Sequence, residues 1–112
     1  GLEMARASHA RLIFDAAALP ALPGALDLAN VGVETDGAAH NRRFVAPALT
    51  VGSGVDGALV VLAHDPQTSG GLLAAIGPDH LAAVEEGLAA AGVPSWRIGR
   101  VEASEVPGVT LA

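Results

Sequence analysis

The chain has no cysteine, and its six basic residues are all arginine, so it has no lysine either. Without cysteine, disulfides, thiolate catalysis and zinc–thiolate sites are excluded. Without lysine, a Schiff-base mechanism and a phosphate-loop lysine are excluded within the chain. Tyrosine is absent, and Phe14, Phe44 and Trp96 are the only aromatics. The 51% of hydrophobic residues must therefore build a core from Ala, Val, Leu and Ile. Positive charge is also scarce. A net charge of -6 argues against nucleic acid or an anionic membrane as partner, because neutralising phosphates needs clustered Lys and Arg. No apolar run reaches the roughly 18 residues of a membrane span. The start lacks the basic region and apolar run of a secretory signal. With the missing cysteines, this reads as a cytoplasmic protein.

What is present fits one domain, residues 1–112. The fourteen glycines are scattered, as turns and caps are. Leu2 to Ser8 reads as the tail of a helix that begins without a cap, which suggests a chain cut from something longer. Arg11 to Phe14 reads as a strand. Pro23 to Asn30 reads as a short helix, with Asn30 or Gly32 ending it. Residues 33–43 read as loop around the Asp36-Gly37 turn signal, with a helical turn over Asn41 to Phe44, and Pro47 to Gly54 as irregular. Val55 to Ala63 reads as a helix capped by Ser53, although Val60-Val61-Leu62 fits a strand as well. Leu72 to Ile76 reads as a buried strand. Pro78 opens a helix with Leu81, Val84, Leu88 and Ala91 on one stripe, ended by Gly92 and Pro94. Ser95 to Val101 and Val109 to Leu111 read as strands. This order predicts an α+β fold, a mixed sheet covered by helices.

Between two apolar segments lies His64-Asp65-Pro66-Gln67-Thr68-Ser69-Gly70-Gly71. Paired glycines permit positive φ and close approach of a ligand. Successive backbone N–H groups form an anion-binding concavity, and the Thr68 and Ser69 hydroxyls add donors. An oxyanion such as phosphate is the natural ligand, with Gln67 orienting a water or a nucleotide edge. Asp65 would repel it unless a metal or Arg lies between. The plain alternative is a tight turn whose hydroxyls satisfy loop backbone groups. Asn41 with Arg42 and Arg43 is a second candidate, since arginine grips phosphate with a two-pronged fork. Its alternative is a surface pair serving Glu34 and Asp36. The four histidines show no ligand spacing, so no metal site is expected. Glu85-Glu86 reads as a solvated helix face and Trp96 as a packing anchor.

The run Asp65 to Leu73 resembles, almost letter for letter, a stretch in the C-terminal domain of selenophosphate synthetase (selenide, water dikinase). Leu2 to Ala5 is similar to the helix after that family's Gly-Phe-Gly motif. Leu19 to Leu28 is similar to the segment after the next strand, and Asn41 to Ala46 to its Gly-Gly-Thr-x-x-Asn region. Asp36-Gly37-Ala38 departs from Gly-Gly-Thr there. The resemblance implies a layered α/β sandwich of the aminoimidazole-ribonucleotide-synthetase C-terminal-domain type. It also implies a two-domain enzyme converting selenide, ATP and water to selenophosphate, AMP and phosphate with Mg2+. The family's reactive Cys or selenocysteine, its Lys and its metal-binding Asp residues lie upstream of this stretch. The chain is therefore expected to be inactive alone, to bind no cofactor by itself, and to need the N-terminal ATP-binding domain and a homodimeric partner. Its contribution would be Asp65, Gln67, Thr68, Ser69, Gly70, Gly71 and Asn41 at the cleft, with no catalytic residue of its own. The alternative is a non-catalytic small-anion or nucleotide-binding module. The loop's wording argues against the hydrogenase-maturation and thiamine-phosphate kinase branches.

Overall fold

Strand β1, Ala10–Phe14, lies inside a four-stranded sheet of order β2-β4-β1-β3. It runs parallel to β4, Gly108–Leu111, and antiparallel to β3, Gly99–Ala103, while β2, Leu49–Val51, runs parallel to β4. The computed structural model describes residues 1–67 and 69–112. Side chains of β1 alternate as the pleat requires. Ala10 and Leu12 are buried against Ala5 of helix α1, Leu2–Ala7, with Met4 and Phe14 packed around them. Val109 and Leu111 of β4 are buried as well. The core is thus small side chains and leucines, which allows α1 to lie close on the sheet. With helices laid against a mixed sheet, the architecture is the α+β layered sandwich that the sequence predicts.

Helix α2, Ala25–Asn30, packs on α4, Gly57–His64, which also meets α3, Asp36–Val45. Helix α2 and α5, Pro78–Ala90, end alike. Gly32 and Gly92 take positive φ, and Val33 and Val93 donate back to the carbonyls of Leu28 and Leu88. Glycine is favoured at such a stop because a Cβ is strained in the left-handed region.

Several elements differ from the sequence reading. Residues 36–45, expected as loop with one helical turn, form α3. The Thr35 hydroxyl accepts from Ala38 N–H and caps it, which outweighs Gly37. Residues 46–48 make a 3-10 turn and 49–51 a strand where irregular chain was expected. Asp56, not Ser53, caps α4. The last long strand starts at Gly99, where a Cβ would collide with the Ile13 carbonyl. Leu72 to Ile76 carries no strand ladder and is exposed, with Leu72 fully so. An apolar run becomes a strand only when a neighbour supplies ladder partners. Trp96 is 58% exposed and not a packing anchor. None of α5 is buried. Glu85 does not stand free, because the Arg97 guanidinium grips its carboxylate. That hydrogen bond, then the charge of Arg97, holds the Glu85 carboxyl below the usual range.

Truncating Leu12 to Ala should lower stability by about 2–4 kcal/mol in urea unfolding, because the cavity sits under α1. A carboxyl whose folded value is lowered keeps its contribution at neutral pH and loses it as pH falls through that value. In an NMR pH titration Glu85 should therefore protonate below the usual glutamate range, and Arg97→Gln should bring it back up.

Candidate functional site

Helix α4 stops at His64 because Pro66 disfavours helical backbone in the residue before it. Asp65 accordingly turns extended, at φ -70 and ψ 124, and its N–H returns to the Leu62 carbonyl. The next segment leaves the helix at a defined angle, and three contacts from α3 hold that angle. Asn41 Nδ2 donates to the His64 carbonyl at 2.9 Å. The Thr35 hydroxyl donates to Asp65 Oδ1 at 2.8 Å. Gly37 lies against the Pro66 ring so closely that a Cβ there would overlap Cγ. The loop root, residues 64–66, is clamped.

His64 itself is 6% exposed. Its Nδ1 faces the Val60 carbonyl at 2.6 Å. A carbonyl only accepts, so Nδ1 carries the proton. The ring borders a cavity of about 360 Å³ where Phe14, Asn41, Phe44 and Leu111 also meet. Arg6 stacks over the Phe44 ring at 5.6 Å, a cation–π contact.

The predicted site residues fall into two groups. Asp65 and Asn41 are at the root, and both are engaged with protein groups. Gln67, Ser69, Gly70 and Gly71 are beyond it and exposed, with Gln67 folded over Gly70. Thr68 lies outside the described residues. Arg42 pairs with Glu34 at 2.8 Å, the surface pairing weighed from the sequence. Ala38 is fully buried, so the position where a threonine was usual takes part in packing. Sequence reasoning missed Thr35 and Gly37. The only signal for them was a hydroxyl residue three positions before Ala38, the spacing of a helix cap. Among the described residues no group of three or more His, Cys, Asp or Glu converges.

The geometry is that of a layered α+β domain that displays a polar loop from a fixed root. In sequence the chain belongs with the selenide, water dikinases, the selenophosphate synthetases. It is 42% identical over 110 residues to the selenide, water dikinase of Nitratidesulfovibrio vulgaris (strain DSM 19637 / Miyazaki F), covering 98% of this chain and 31% of that protein. With the selenide, water dikinase of Pseudomonas straminea it shares 37% over 108 residues, 92% of this chain and 29% of the relative. With selenide, water dikinase 2 of Peptoclostridium acidaminophilum it shares 31% over 110 residues, 97% and 31%. The chain spans about a third of the length of these curated relatives. No protein-family model matches it. No helix is long and apolar enough to cross a membrane among the described residues.

Asn41→Ala leaves the His64 carbonyl without its donor and should cost about 1–2 kcal/mol. A double-mutant cycle of Thr35→Val and Asp65→Ala should give a coupling of about 0.5–1.5 kcal/mol. Additivity within error would mean the hydroxyl–carboxylate bond holds nothing. Gly37→Ala should push Pro66 away and broaden the amide resonances of the residues that follow it.

Proposed function

We propose that residues 1–112 act as the C-terminal domain of a cytoplasmic, ATP-dependent selenide, water dikinase, a phosphotransferase making selenophosphate, AMP and phosphate. The domain supplies the Gln67–Gly71 loop to the active cleft and is inactive alone. The observation that carries this reading is the Asp65 to Leu73 run, within a likeness that covers nearly the whole chain.

The arrangement of the loop supports a positioning role rather than a catalytic one. Its root is at the C-terminal end of α4, where the helix dipole is negative. Asp65 adds a carboxylate there. A bare phosphate or selenophosphate oxyanion would be repelled at the root. The tip is the favourable place, where Ser69 and the backbone of Gly70 and Gly71 donate and the glycines allow close approach. Compensating positive charge must then come from across the cleft, from the N-terminal ATP-binding domain of the whole enzyme with its nucleotide and Mg2+. Asn41 and Asp65 serve through the clamp, and a second copy of the chain completes a homodimer.

The alternative, a small-anion or nucleotide-binding module without catalysis, rests on the exposed glycine-rich tip alone. Joining the chain to the preceding two thirds of the Nitratidesulfovibrio vulgaris enzyme separates the two. The isolated chain should not hydrolyse ATP, and the joined protein should form AMP in a selenide-dependent manner. Gln67→Ala and Ser69→Ala should each lower kcat about tenfold or more in the joined protein, with folding unchanged by circular dichroism. Full activity in both variants rejects the loop's part in the chemistry. Tight calorimetric binding of phosphate, sulfate or ATP by the chain alone favours the module.

A further inference from the structure

Two parts of the chain each lack what the other has. Strand β3 is an open edge of the sheet. Asp15 N–H donates to the Ile98 carbonyl beside it, and Ser104 N–H to the His9 carbonyl. Bonded and non-bonded pairs alternate along an antiparallel ladder. With Ile13 opposite Arg100 and Arg11 opposite Glu102, residues 98, 100, 102 and 104 turn their backbone groups to β1. Gly99, Val101 and Ala103 turn theirs outward, a template for one more strand. Leu72 to Ile76 has the length of β3, no charge and no proline. It lies exposed, and among the described residues none of its N–H or C=O groups has a backbone partner.

The connection between the two sets how they would pair. Residues 77–98, with α5 inside them, join the segment to β3. A crossover of that length built on a helix joins parallel strands, and such crossovers are right-handed. From β1 to β2 the chain crosses toward the β2 edge. From the segment to β3 it crosses in the same sense along the sheet, between strands of the opposite direction. The same hand therefore puts α5 on the face opposite the helices between β1 and β2. One of those, α3, borders the same cavity as Phe14 and Leu111, on the face that α1 covers. The remaining face is that of half-buried Ile13. The α5 stripe of Leu81, Val84, Leu88 and Ala91, none of it buried, is apolar surface of the right kind to cover it.

We propose that residues 72–76 are a strap that closes on the β3 edge as a parallel strand and carries α5 over the Ile13 face. With the strap centred, Ala74 lies beside Val101. Val101 N–H then donates to the Leu73 carbonyl, Ala75 N–H to the Val101 carbonyl, and Leu73 N–H to the Gly99 carbonyl. The amides of Ala74 and Ile76 face away. The strap begins directly after Gly71, so closure fixes the far end of the Gln67–Gly71 loop as Asn41 and Thr35 fix its root. It concerns the frame of the loop and holds whatever the loop binds.

Hydrogen exchange by NMR on the 112-residue chain tests it. Relative to their unfolded rates, the Leu73, Ala75 and Val101 amides should exchange about tenfold or more slower than those of Ala74 and Ile76, at every protein concentration. Val101→Pro removes an outward N–H and no donor used by β1. Leu73 and Ala75 should then lose their protection while Ile13 keeps its own. The chain has no cysteine, so Ala74→Cys combined with Val101→Cys reports closure directly. Oxidation should form a disulfide within one chain, at the short Cα separation such a bond needs, and neither single variant should give it. Fast exchange at Leu73 and Ala75, or a folded double variant that forms no intrachain disulfide, overturns the proposal. Protection at Ala74 and Ile76 in place of Leu73 and Ala75 overturns it too, since the pairing then has another phase. So does protection that grows with protein concentration, because a second copy then holds the edge.

Discussion

The bond from Asn41 to the His64 carbonyl is the contact on which the candidate site depends. A helix end leaves its last carbonyls without intrahelical donors. At the end of α4 the Leu62 carbonyl receives Asp65 N–H and the His64 carbonyl receives Asn41. One side chain from α3 thus closes α4 and fixes where the chain goes next. Pro66 and Gly37 fit only because that direction is set, since the proline ring fills the space a larger residue would need at 37. Thr35 completes the arrangement, accepting from Ala38 N–H with its oxygen and giving its proton to Asp65. The cap of one helix is therefore also a tie to the next.

This arrangement separates stiffness from reactivity. Asp65 and Asn41 each make one side-chain hydrogen bond to the fold. The other described members, Gln67, Ser69, Gly70 and Gly71, are exposed. A loop whose tip was also bonded internally would have little left for a ligand, and one with a loose root would pay a larger ordering cost on binding. Net acidity of the chain and the α4 dipole work against holding an anion here without help. On the proposed reading the loop is one wall of a site whose positive charge comes from elsewhere.

Much of the fold was legible because it rests on local signals. The glycine stops of α2 and α5, the proline start of α5 and the short apolar run of β1 are visible in the residues themselves. Helix α3 was not, because Asp36-Gly37 carries a strong turn signal and the capping hydroxyl at Thr35 decides the matter only once α4 provides a surface. Leu72 to Ile76 failed for the opposite reason. Its composition is that of a buried strand, but burial and pairing are properties of neighbours, which composition does not encode. Trp96 is similar, since a large apolar side chain marks a surface that wants cover and says nothing about which element gives it. For the site, the motif was evident and the division of labour inside it was not. Thr35, 2.8 Å from Asp65, is a partner that the motif alone does not reveal.

The uncovered parts of the chain share one feature. Helix α5, the 72–76 segment and the edge strand β3 all lie in the second half of the sequence and are exposed to solvent. An edge of this kind is a liability unless something restricts what it can pair with. Blocking charges are the usual device, but β3 carries one of each sign, two residues apart. Arg100 and Glu102 meet at 2.9 Å, so the open edge is lined by a neutral pair and not by charge of one sign.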